Sequence, residues 1–333
     1  MLFIRTRPAC APWLTLCLAA CAQFGSISPV TAQELLRTEA LPIAEGNVRS
    51  RDKPIVQVAG SDQDTARQAL RVDITHAGTS SKAELNRAIS RLPLANLSAP
   101  DRQKVNQVVQ DLSLYRRLPT ITCRTDPRVY SFFVENPDVA VSIWRVMGIS
   151  EMQLRQVSAT EYESDLKDGT LGLIKVLHRS PTRQLILCEG DFKSPLLVKT
   201  IRSTGLMCLQ SQQWRDANGD EFVTHSADVF VVLHSDTVEA VAKLISPMSF
   251  KMADKNFEEV TLFIRMMDEV MSRQPGWIEQ TAAQLDGVIP GRDKQLLEVA
   301  SRVYVDARRR ELQQAGGPVT LEAIRPPVRA AGN

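Results

Sequence analysis

Between residues 152 and 234 the chain sets six strand-like runs in succession, punctuated by strong turn signals. The runs are 152–159, 161–167, 170–179, 184–190, 200–214 and 221–234, and the breaks include Asp168-Gly169, Ser180-Pro181 and Asn218-Gly219. Asp-Gly and Asn-Gly supply the positive-φ positions that tight hairpins need, and connections this short make neighbouring strands antiparallel. Such a chain builds a continuous antiparallel sheet, and a sheet needs another layer over its apolar face.

The next segment offers that layer. Phe257, Val260, Phe263, Ile264, Met267, Val270 and Met271 recur at three- and four-residue spacing, which makes one apolar face on a long helix. Asp236-Thr237 caps a shorter helix over 238–246 that Pro247 interrupts, and Pro275-Gly276 ends the long one. Two further helices are expected near 277–285 and 294–312.

Ahead of the sheet, Ser98 and Pro100 open a helix whose stripe of Val105, Val108, Val109, Leu112 and Tyr115 runs to Arg117. Leu118-Pro119 stops it, and residues 120–123 read as a strand, the seventh of the sheet. Asp126-Pro127 and Asn136-Pro137 then cap two helices, the second carrying Val139, Ile143, Trp144, Val146 and Met147 before Gly148. The basic runs Tyr115-Arg116-Arg117 and Arg308-Arg309-Arg310 read as solvated helix ends, where cations complement the dipole.

The N-terminus carries an address. Arg5 and Arg7 precede a short apolar run centred on residues 13–20, and no acidic residue occurs before Glu34. This describes an export signal over 1–32. Val30-Thr31-Ala32 offers one cleavage site, before Gln33. Leu18-Ala19-Ala20-Cys21 offers another, resembling a lipobox in which Cys21 would be lipid-modified. No stretch approaches the roughly 20 apolar residues of a membrane-spanning helix. Loss of 1–32 removes two of the 40 basic residues and none of the 38 acidic ones. A net charge near zero argues against a nucleic-acid partner. Cys123, Cys188 and Cys208 sit in apolar strand-like runs and read as buried thiols.

The expected organisation is therefore an export signal at 1–32, a disordered linker at 33–80 and a helical segment at 81–118. The sheet-and-helix domain spans 119–274, followed by C-terminal helices at 275–313 and a frayed tail at 314–333. The class is α+β. The order of elements over about 119–273 (strand, two short helices, six antiparallel strands, long helix), with the local run Asn136-Pro137-Asp138-Val139, resembles the helix-grip fold of the START-like, polyketide cyclase-like superfamily. That resemblance implies a sheet wrapped around the long C-terminal helix, with a cavity between them that the outer helices cap or close.

Candidate site residues follow from strand alternation. His225 shares a face with Val223, Ala227, Val229, Val231 and Leu233, and His178 shares one with Ile174 and Val176. Together with Trp144 and Met267 they are the expected ligand contacts. Met248, Met252, Met266 and Met271 would add adaptable apolar surface, if they are not simply core. Glu189 is the carboxylate best placed for partial burial, and Glu163, Asp165 and Asp228 are others within strands. His76 and His234 lie in the linker and at a strand end. Asp216, Asn218 and Asp220 alternate like calcium ligands, but their glycine falls fourth rather than sixth and strands flank them, so a solvated hairpin tip is expected. Neither metal nor cofactor is expected. No nucleophile elbow or phosphate loop is present.

The function these features point to is binding of an apolar or amphipathic small molecule, lipids included, in a cavity of at least about 300 Å³. A cyclase- or dehydratase-like enzyme would use a histidine or carboxylate in the same cavity; it needs several polar side chains to converge there, and it loses its support if His178, His225 and Glu189 all point outward. A third reading is an interaction domain whose cavity is filled by side chains.

Overall fold

The computed structural model describes residues 72–192, 201–234 and 247–325. The expected export signal with its two expected cleavage sites, the expected linker up to residue 71, the helix expected at 238–246 and the end of the expected tail lie outside these residues.

Among the described residues the fold is α+β around one antiparallel sheet of nine strands. The strands are β1 (Asp73–His76), β2 (Leu114–Arg117), β3 (Thr120–Arg124), β4 (Gln153–Gln156), β5 (Glu161–Asp165), β6 (Leu171–Ser180), β7 (Arg183–Phe192), β8 (Ile201–Arg215) and β9 (Glu221–His234). The order across the sheet is β1-β3-β9-β8-β7-β6-β5-β4, and β2 also pairs with β9. The helices are α1 (Lys82–Ser90), α2 (Ala99–Gln110), α3 (Pro127–Glu135), α4 (Pro137–Val146), α5 (Pro247–Arg273), α6 (Pro275–Ala282), α7 (Arg292–Gln314) and α8 (Leu321–Ile324).

Two strands were not expected. The end of the region read as linker forms β1, which pairs with β3 through Asp73 opposite Thr122. The α2 stripe also stops early: the helix ends at Gln110, and Leu114–Arg117 is strand. Together β2 and β3 line one edge of β9, Leu114 opposite Val231 and Arg124 opposite Phe222. Leu118 keeps the ladder going by donating to the Ala227 carbonyl, and Pro119, with no N–H, marks the break.

The basic run Tyr115-Arg116-Arg117 is therefore no solvated helix end. Alternation sends Arg116 to one face of the sheet, where it pairs with Asp254 of α5 and stacks over Phe250. Arg117 goes to the other face and pairs with Asp228. Arg308, Arg309 and Arg310 lie within α7 rather than in its last turn, and Arg308 reaches Glu311 and the Ala323 carbonyl.

The turns follow the sequence, with revised geometry. At the β8–β9 tip, Gly219 donates to the Asp216 carbonyl and Asp216 to the Asp220 carbonyl. Only Gly219 has positive φ, at 83°. This is a three-residue loop closed by a glycine bulge, not a two-residue turn with positive φ at both centres. The Asp216 carboxylate accepts from the amides of Asn218 and Asp220, at 2.9 Å each. At the β5–β6 tip, Gly169 (φ 96°) is joined in the left-handed region by Lys167 (φ 62°).

The caps are as local chemistry dictates. Ser81, Ser98 and Asp126 accept from amides in the first turns of α1, α2 and α3. Asn136 behaves otherwise: its side-chain amide donates to the Phe132 carbonyl at 2.8 Å, closing the end of α3 instead of capping α4.

Both faces of the central strands are covered. Odd-numbered residues of β9, among them Val223, Ala227, Val229 and Val231, pack toward the α5 side. Even-numbered Phe230 and Val232 join Leu185, Leu187, Leu206 and Cys208 beneath α1 and α2. On its far side α5 meets α6 and α7 through Ile278, Leu296, Ala300 and Val303. This double coverage explains why residues 229–233 of β9 read as continuous apolar sequence.

Candidate functional site

An apolar cavity of about 140 Å³ lies between the sheet and α3, α4 and α5. On the sheet side its wall is Leu154, Tyr162, Ile174, Val176, Ile186, Met207 and Leu209; on the helix side it is Phe133, Ala140, Trp144, Val260, Phe263 and Ile264. Register accounts for the sheet wall: Tyr162 opposes Ile174, Val176 opposes Ile186 and Ile186 opposes Met207, so these side chains share one face. The helix wall is an aromatic set. Phe263 meets Phe133 edge-on at 5.4 Å and Trp144 edge-on at 5.5 Å, each pair fixing the others' orientation. Neither α6 nor α7 lines the cavity; both lie behind α5.

Of the expected contacts, Trp144 is in this wall. Met267 is fully buried in the adjoining core with Met266 and Met271, so these methionines fill space rather than line it. His225 is buried outside the cavity in a satisfied chain. Its Nδ1 lies 3.0 Å from the Tyr130 hydroxyl and its Nε2 2.9 Å from Thr261 Oγ1. Thr261 itself donates to the Phe257 carbonyl at 2.9 Å. Thr261 has one proton, so it accepts from an Nε2–H, and Nδ1 accepts from Tyr130. Burial pushes the His225 pKa down to about 4, which keeps the ring neutral.

His178 is displaced by a bulge. Val176 opposes Ile186, but the next pairing is His178 with Leu185, leaving Leu177 as the extra residue. Leu177 and Leu185 belong to the layer beneath α1 and α2, so His178 leaves the cavity face. Arg179, opposite Gln184, takes its place, and both line the cavity. A one-residue bulge shifts every later side chain to the other face, and nothing in the run Ile174–Ser180 announces it. Glu189 lies on the α1/α2 side, paired with Lys104 at 3.1 Å. His178, His225 and Glu189 do not converge.

Other polar clusters are engaged internally. Asp228, 1% exposed, accepts from Tyr115, Arg117 and Gln210, tying β2 and β8 to β9. Asp138, fully buried at the start of α4, faces Arg292 Nε at 3.5 Å; burial raises its pKa against that cation. Asp268 of α5 is raised to about 6, by burial first, although Arg265 donates to it at 2.9 Å. A larger, polar hollow of about 830 Å³ lies at the other end of β4–β8. Arg155 pairs with Glu163, Arg202 with Asp191 and Arg145 with Asp286 within its lining, and Glu189 and Asp165 pair with Lys104 and Lys167 beside it.

No family model matches the chain, and no curated protein matches it. Among solved structures, one match is a conserved protein from Geobacillus kaustophilus. It is 15% identical, with a TM-score of 0.26, covering 42% of this chain and 93% of that one. A likeness that slight carries no argument about fold or function. Among the described residues no helix is long and apolar enough to cross a membrane.

Proposed function

We propose that the protein is an exported binding protein of helix-grip type, holding a compact apolar molecule between the sheet and α5. The aromatic-walled cavity carries this reading. A cavity near 150 Å³ with an apolar lining accommodates a benzene-sized body. At about 140 Å³ it falls short of the expected 300 Å³, so the ligand is smaller than a lipid chain. Burying about 150 Å² of aromatic surface at about 25 cal/mol per Å² contributes about 4 kcal/mol before the losses on association. Export rests on the Arg5/Arg7 pair and the apolar run behind it. A cyclase-like enzyme would need polar groups converging in the cavity, and the two histidines and Glu189 do not supply them.

Native mass spectrometry of the purified protein, before and after solvent extraction, tests the reading, alongside thermal shifts with toluene. A retained small apolar molecule, or a toluene-induced rise in Tm that Val260→Phe abolishes by filling the cavity, supports it. No retained molecule and no shift would refute it.

A further inference from the structure

The cavity is apolar along its walls and polar at one end, where Arg179 and Gln184 stand opposite each other across β6 and β7. Gln184 is only 5% exposed, and it lines the cavity beside Arg179. Arg179 is exposed and makes no ion pair among the described residues. Its guanidinium donates to the Glu135 carbonyl at a long 3.5 Å, and the Tyr162 hydroxyl donates to that same carbonyl at 3.4 Å. One carbonyl, weakly held by two donors, leaves both with hydrogen-bonding capacity to spare.

From this arrangement we propose that Arg179 and Gln184 anchor the carboxylate of a small aromatic acid whose ring occupies the cavity. The anchor rests on the cavity reading above and adds the ligand's chemical class. A guanidinium fork matches a carboxylate's two oxygens, and the Gln184 amide adds a donor from the buried side. The aromatic walls match a flat ring better than a branched aliphatic body. The volume restricts the ring to a single six-membered system. The β6 bulge is what creates the anchor: regular pairing would present His178 at this position and turn Arg179 to the opposite face.

Isothermal titration of the full chain at neutral pH with benzoate, benzylamine and toluene tests the assignment, with Arg179→Gln and Gln184→Leu as variants. Arg179 is exposed, so its replacement leaves the fold intact. Benzoate should bind at least tenfold more tightly than toluene, and benzylamine no better than toluene. Arg179→Gln should erase the preference for benzoate while leaving toluene binding unchanged, and Gln184→Leu should weaken benzoate without weakening toluene. Toluene binding without a benzoate preference, or a preference that survives Arg179→Gln, overturns the anchor and leaves the cavity reading standing. Absence of binding by all three probes removes both.

Discussion

The Tyr115 hydroxyl donates to the Asp228 carboxylate at 2.8 Å, diagonally across the β2–β9 pair. The same carboxylate accepts from Arg117 at 3.0 and 3.1 Å and from Gln210 at 2.9 Å, and Arg91, at the end of α1, approaches to 3.4 Å. Breaking a buried charge cluster by removing one partner costs several kcal/mol, because the remaining charges stay desolvated. Asp228→Asn should lower unfolding stability by about 3 kcal/mol. Glu163→Gln, which breaks the exposed Arg155 pair, should change it by less than about 0.5 kcal/mol. Urea titration of both variants makes the comparison, and equal effects would contradict it.

His225 makes stability pH-dependent. The unfolded imidazole takes its proton near pH 6.5, but the buried ring resists protonation down to about 4. Its contribution is complete above pH 6.5 and vanishes as pH falls toward 4, about 3 kcal/mol in all. Asp268 opposes it, since a carboxyl raised to about 6 favours the fold at lower pH. His225→Gln should therefore flatten the rise of Tm between pH 4 and 6.5, or reverse it. An unchanged profile would show that another group governs this range.

Lys167 sits at φ 62° in the β5–β6 turn, in the left-handed region where a β-carbon is crowded. Asparagine tolerates that region better. Lys167→Asn should raise the urea midpoint, by up to about 1 kcal/mol in stability. A lower midpoint would mean that the Lys167 contacts to Asp165 and Gln153 outweigh the strain.

Three thiols, Cys123, Cys188 and Cys208, are free and buried. Burial pushes Cys123 up to about 12 and Cys208 up to about 11, so little reactive thiolate exists at neutral pH. A disulfide reagent at pH 8 should leave both unmodified in the native protein and titrate them once denaturant is added. Rapid native labelling of either would contradict their burial.

The long-range architecture was legible because hairpin chemistry and alternation are local signals. Asn218-Gly219 and Ser180-Pro181 marked real turns, and the β9 alternation from Val223 to Leu233 names the residues that face α5. What escaped depended on partners distant in sequence. Leu112 and Tyr115 continue the spacing of the α2 stripe, yet residues 114–117 gain more by completing the edge of β9. Asp73–His76 is too short and polar to signal a strand until β3 lies beside it. At the site, Trp144 was visible from its helix. Arg179 was hidden, because a bulge has no mark in residue type and its effect is to exchange neighbouring side chains between faces.

The broken strand formed by β2 and β3 has a consequence for how the chain assembles. Its hydrogen-bonding edge on β9 lies about a hundred residues further along, and the layer beneath α1 and α2 also waits for β7, β8 and β9. Loop closure over that distance is slow compared with local hairpin formation. The six-strand meander can zip from its own turns, whereas β2 and β3 remain without their partner until β9 is in place. The first-made part of the described chain is thus among the last to settle, and its unpaired edge is the surface a chaperone would need to shield in the interval.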